Sequence, residues 1–117
     1  MIIDGRTLSA GERLDTDLAI IGAGAAGITL ARELKDAPFR VALVESGGLD
    51  FEEATQDLYG GESGPQPYAP LDSVRLRYFG GSTNHWSGWC RPLDSLDFEA
   101  REDLGLPGWP ITRLTAS

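Results

Sequence analysis

The sequence predicts an α/β fold built around one βαβ unit. Three observations carry that expectation: an apolar run at Leu18-Ala19-Ile20-Ile21, a cluster of glycines directly after it, and a second apolar run at Val41-Ala42-Leu43-Val44. At 117 residues the chain has room for one small domain and not for two.

Residues 1–16 are polar and irregular and read as an arm leading into a domain that occupies 17–117. Leu18–Ile21 is continuously apolar, the pattern of a strand buried on both faces. It stops at Gly22-Ala23-Gly24-Ala25-Ala26-Gly27. From about Ala25 to Lys35 the spacing becomes helical, with Ile28, Ala31 and Leu34, and also Leu30, available for one face. Pro38 prevents continuation of that helix. Val41–Val44 is then a second buried strand, closed by Glu45 and Gly47-Gly48. Strands joined this way run parallel, with a right-handed crossover.

The stretch from Leu49 to Leu71 is rich in Asp, Glu, Gly and Pro. A short helix is compatible with Glu52 to Leu58, and the remainder, including Pro65 and Pro67, reads as loop. Val74 to Phe79 fits either a strand or a short helix. A second glycine-rich run follows, Gly80-Gly81-Ser82-Thr83-Asn84-His85-Trp86. Asp94, Asp97, Glu99, Glu102 and Asp103 read as a solvated surface, and no metal site is expected. Two strands alone leave both sheet faces and an edge without partners, so the unit is expected to be part of a larger domain.

Composition excludes several functions. Ten basic residues against 18 acidic ones give a net charge of −8, which repels nucleic acid and anionic membranes. The single cysteine, Cys90, permits no intrachain disulfide and is expected to be a small buried apolar residue, in keeping with a reducing cytoplasm. The first apolar run begins only at Leu18, after Glu12, Asp15 and Asp17, so neither a leader nor membrane insertion is expected.

Gly22-x-Gly24-x-x-Gly27 lies between a predicted strand and helix, and Glu45 follows 18 residues after the last glycine. Gly22 allows the tight turn, Gly24 lets a pyrophosphate approach the backbone, and Gly27 lets the helix pack closely on the strand. The helix start offers the N–H groups of Ala25 and Ala26 to phosphate. Glu45 can accept hydrogen bonds from both hydroxyls of an adenosine ribose, and its charge disfavours a 2′-phosphate. This is the dinucleotide fingerprint in its required context, a Rossmann-like unit. By itself it does not decide between FAD and NAD.

The second run moves the choice toward a flavin. Paired glycines, Gly80 and Gly81, allow close approach to a flat group, while Ser82, Thr83, Asn84 and His85 add short polar side chains beside it and Trp86 or Trp89 can pack on an apolar wall. A structural turn anchored by a tryptophan is the alternative.

Taken together, DLAIIGAGAAGITLARELKDAPFRVALVESGG (Asp17 to Gly48), RYFGGSTNHWSGWCRPLD (Arg77 to Asp94) and GWPI (Gly108 to Ile111) resemble the glucose–methanol–choline (GMC) oxidoreductases. The resemblance implies an FAD-binding, Rossmann-like domain and oxidation of alcohols, sugars or choline-like donors at a CH–OH group. Hydride then passes to the flavin, and another acceptor reoxidises it. It implies that Gly22, Gly24, Gly27 and Glu45 hold the ADP half and that the loop from Gly80 to Trp86 lies along the isoalloxazine. In some relatives a histidine of this loop is joined to the flavin, which makes His85 a candidate attachment point; noncovalent contact and bracing of the loop are the alternatives. The family's catalytic base lies near the far C-terminus of a longer protein, so a truncated form is expected here and no catalytic residue is assigned. An NAD-binding dehydrogenase fragment and a non-catalytic remnant are the rival readings.

Overall fold

The computed structural model describes residues 1–62, 64 and 68–112. The loop assignments at Pro65 and Pro67, and the terminal stretch from Arg113 to Ser117, lie outside the described residues. The chain divides into two compact units, Met1–Trp86 and Ser87–Ser117.

In the first unit, β1 (Leu18–Ile21) and β2 (Val41–Val44) form a two-stranded parallel sheet, with Leu18 opposite Val41 and Ile21 opposite Val44. The strands are tied together at their starts. The Asp17 carboxylate accepts from the Arg40 N–H at 2.8 Å, and the Thr16 hydroxyl donates to the Arg40 carbonyl at 2.8 Å. The Arg40 N–H, helped by the nearby guanidinium, holds the Asp17 carboxyl below its ordinary value.

Helix α1 (Ala25–Glu33) connects the strands and packs on both. It ends two residues before the expected Lys35. Leu34 caps it, and a turn closed by the Ala37 N–H on the Leu34 carbonyl (3.1 Å) leads into Pro38. A residue preceding proline avoids the helical region, so the chain must leave the helix early. Ile28, Ala31 and Leu34 are half-buried, whereas Leu30 is exposed and does not share their face.

The expectation of strands buried on both faces is corrected. Ile20 is buried beside Gly27 of α1, but Ile21 is 79% and Val44 50% exposed. One helix can cover only one side of a sheet. Successive strand residues point to opposite sides, so Ile21 and Ile20 meet different surroundings. The architecture is that of a partial Rossmann-like unit.

After β2 come α2 (Glu53–Gln56), a 3₁₀ turn at Asp57–Tyr59, and α3 (Leu71–Val74). Val74 ends α3 and Arg75 is already extended, so the stretch from Val74 to Phe79 is neither a strand nor a helix of its own. A 3₁₀ helix, Gly81–His85, holds most of the second glycine motif. The N-terminal arm contains a 3₁₀ turn at Gly5–Thr7, whose Arg6 bridges Asp4 and Glu52.

The second unit contains α4 (Ser95–Phe98) and a 3₁₀ turn at Glu102–Leu104. Asp97 accepts from the Asp94 N–H at 2.7 Å, so these two acidic residues cap α4. Cys90 is exposed, contrary to the buried position expected from its apolar character, because no core forms around it among the described residues. No group of His, Cys, Asp and Glu among the described residues is arranged to hold a metal ion. No helix of the described residues is long and apolar enough to cross a membrane.

Candidate functional site

The first glycine motif forms the turn between β1 and α1. Gly22 has φ +97°, a conformation that side chains resist, and its N–H donates to the Val44 carbonyl at 2.7 Å. Gly27 faces back into this turn: a Cβ there would lie 1.9 Å from the Gly22 carbonyl oxygen. Gly24 is different. A Cβ at Gly24 would meet nothing within 4 Å, so the space in front of it is open. It is the N-cap of α1 and offers no side-chain cap, and the first helical bond runs from Ile28 to the Gly24 carbonyl. The N–H groups of Ala25 and Ala26 therefore have no acceptor among the described residues, and both residues are exposed. Open space, free donors and the positive end of the helix dipole together fit a pyrophosphate.

Glu45 follows β2 and turns toward the same place. Its Oε2 accepts from the Ala23 N–H at 2.7 Å, and its Oε1 accepts from the Gly47 N–H at 2.9 Å and the Ser46 hydroxyl at 3.3 Å. Partial burial works to raise its pKa. The N–H groups of Gly47 and Ala23, with Ser46, outweigh that burial and hold the carboxyl below its ordinary 4.5. A carboxylate offers about four lone-pair positions. Three are taken, which leaves one on Oε2 without a partner among the described residues. Glu45 thus has a role the motif alone does not reveal: it clamps the two turns at the C-terminal ends of the strands.

The second glycine motif is brought onto this clamp. The backbone at Arg77 crosses Gly47 so closely that a Cβ on Gly47 would lie 2.0 Å from the Arg77 carbonyl oxygen. The Phe79 N–H then donates to the Gly48 carbonyl at 3.0 Å, and the Gly80 N–H to the Ala23 carbonyl at 2.8 Å. A Cβ on Gly81 would stand 3.3 Å from the Gly24 Cα. Two motifs more than fifty residues apart in sequence are therefore one structure, at the carboxyl ends of parallel strands where such folds place ligands.

Three polar side chains of that loop are bonded to main chain. Ser82 Oγ accepts from the Leu76 N–H at 3.2 Å, and Thr83 Oγ1 donates to the Gly80 carbonyl. Asn84 Nδ2 donates to the carbonyls of Phe79 (3.1 Å) and Gly81 (3.0 Å). They brace the turn, because a tight loop leaves backbone groups that need partners. The His85 side chain is exposed and makes no hydrogen bond among the described residues, so the loop does not depend on its imidazole. Trp86 is 58% and Trp89 92% exposed, and neither packs on an apolar wall.

Two contributors escaped the sequence reading. Gln56 is 6% exposed and bonded through every polar atom of its side chain to the stretch leading into the second motif. Arg77 donates from Nε to Ser46 Oγ at 3.0 Å, and its guanidinium lies 4.8 Å from the centre of the Tyr59 ring. A polar residue in a polar neighbourhood carries no periodicity signal, so pattern alone singles out neither.

A parallel strand pair, a glycine turn with open space at Gly24 and an acidic residue closing β2 define a dinucleotide-binding unit of the Rossmann type. Residues 17–58, just over a third of the chain, match the model of the FAD binding domain. That match makes FAD the cofactor and supports a flavin-dependent oxidoreductase. Comparisons with curated proteins and with solved structures returned no match.

Proposed function

We propose that this chain is the FAD-binding portion of a GMC-type oxidoreductase acting on the CH–OH group of an alcohol, a sugar or a choline-like donor. The observation that carries the proposal is the 2.8 Å bond from Gly80 to Ala23, which seats the GGSTNHW turn against the fingerprint turn. The family match covers the first motif alone, and an NAD dehydrogenase would leave the second without a use.

In this reading Gly22, Gly24, Ala25, Ala26, Gly27 and Glu45 hold the ADP half. Gly80, Gly81, Ser82, Asn84, His85 and Trp86 form the wall along which the flavin ring lies. FAD, when bound, accepts the hydride. The chain's own residues bind and orient it: α1 neutralises phosphate charge, and Glu45 takes a ribose hydroxyl. Efficient alcohol oxidation also needs a base within hydrogen-bond reach of the hydroxyl. None is assigned among these residues, and the 117-residue chain by itself is expected to reduce no dye above a free-flavin control.

Anaerobic titration of the FAD-loaded protein, in its longest natural form, tests the proposal. Bleaching of the flavin by primary alcohols, aldoses or choline, but not by succinate or amino acids, is the expected result. Bleaching by NADH or succinate with no response to any alcohol would defeat it.

A further inference from the structure

The path of the chain from Arg75 to Gly80 decides whether the second glycine motif reaches the first. That stretch has no regular secondary structure to hold it. What holds it is a side chain far away in sequence. Gln56, the last residue of α2, has Nε2 at 2.6 Å from the carbonyl oxygens of both Asp72 and Arg75, and Oε1 at 3.0 Å from the Arg77 nitrogen. Its amide group thus donates twice and accepts once, each time to main chain. It is also the one buried polar residue among those described.

We propose that Gln56 is a positioning residue for the cofactor site. Its three bonds set the departure of the chain from α3 and its path at Arg77, and so deliver Gly80 to Ala23 and Gly81 to Gly24. None of its three side-chain bonds reaches Gly22–Gly27 or Gly80–Trp86. It acts through the main chain of 75–77, two to five residues before the Phe79 and Gly80 amides that dock on Gly48 and Ala23. The hydroxyl of Ser82, which accepts from the Leu76 N–H, ties the far side of the turn to the same stretch. The cofactor arm of this inference rests on the proposed placement of the second motif beside FAD.

Gln56→Leu removes all three bonds. Gln56→Glu keeps the shape and the acceptor toward Arg77 but, when ionised, sets a carboxylate against two carbonyls. Amide hydrogen exchange on the full chain without FAD reads the effect directly. Protection of the Gly80 N–H is expected to fall about tenfold or more in both variants, while that of the Leu18 N–H, bonded to Arg40, is retained. FAD affinity is expected to fall about tenfold, with a weakened flavin circular-dichroism signal, since a loosened turn must be ordered on binding. Unchanged protection at Gly80 in a folded variant overturns the inference. So does equal loss at Gly80 and Leu18, or unfolding of both variants, because Gln56 would then be a general core residue. Unchanged FAD affinity after loss of Gly80 protection also overturns it. Failure of the wild-type chain to bind FAD would instead count against the cofactor reading, and is measured in the same titration.

Discussion

The main-chain N–H of Gly80 donates to the carbonyl of Ala23 at 2.8 Å, joining the two glycine motifs in one turn-on-turn contact. Gly80 makes that contact at φ +93°, and a Cβ there would press on the Asn84 amide at 2.8 Å. A left-handed backbone costs a side chain about 1–2 kcal/mol. Gly80→Ala is therefore expected to weaken FAD binding by about tenfold, together with a lower melting temperature. Fluorescence titration and a thermal melt check both.

Gly24 and Gly27 belong to the same motif but should respond oppositely. Gly24 has φ −82° and open space where a side chain would go, so Gly24→Ala should leave the unliganded protein within about 0.5 kcal/mol of wild type. FAD binding should nevertheless fall by about tenfold, because the added methyl occupies the approach of the pyrophosphate. Gly27→Ala instead drives a methyl into the Gly22 carbonyl and should destabilise the fold by about 1–3 kcal/mol or more. Denaturant unfolding without FAD separates the two.

Glu45 should make both stability and binding fall in acid. Its pKa is depressed in the folded chain, so its contribution is complete above the ordinary glutamate value of 4.5 and is lost as pH drops below it. Glu45→Gln exchanges one acceptor oxygen for an NH₂ group that cannot receive the Ala23 or Gly47 N–H. Charge-assisted bonds of this kind contribute about 1.5–3 kcal/mol, which corresponds to a loss of tenfold or more in FAD affinity. The variant should also lose the acid-side fall. An unchanged pH profile would show that another carboxylate controls it.

His85 stands free at the end of the Gly81–His85 turn. His85→Ala should leave the unliganded melting temperature unchanged, since no hydrogen bond is lost. It should alter the flavin absorption spectrum through loss of a noncovalent contact. Acid precipitation of the wild-type holoprotein is expected to give a colourless pellet. Colour retained in the pellet would establish a covalent link.

Much of the fold was legible because its signals are local. Leu18–Ile21, Ala25–Glu33 and Val41–Val44 form where apolar runs, helical spacing and glycines place them, since those patterns reflect backbone preferences and neighbours a few residues apart. The nucleotide turn was legible for the same reason. Misreadings arose where burial depends on what lies across space. Leu30 and Cys90 are apolar yet exposed, and Ile21 lies on a bare face, because hydropathy records a preference and not the presence of a neighbour.

By itself the sequence determined the βαβ unit, the Gly22-Gly24-Gly27 turn and the acidic residue that closes β2. Only the tertiary structure decided that Gly80 docks on Ala23, that Arg77 crosses Gly47, and that Glu45 and Gln56 spend their polar atoms on main chain. The physical reason is the range of the interactions. A turn or a helix is specified by torsion angles and residues close in sequence. A hydrogen bond between Gln56 and Arg75 or Arg77 exists only after the intervening chain has folded back, and nothing in the residue types at either end announces it.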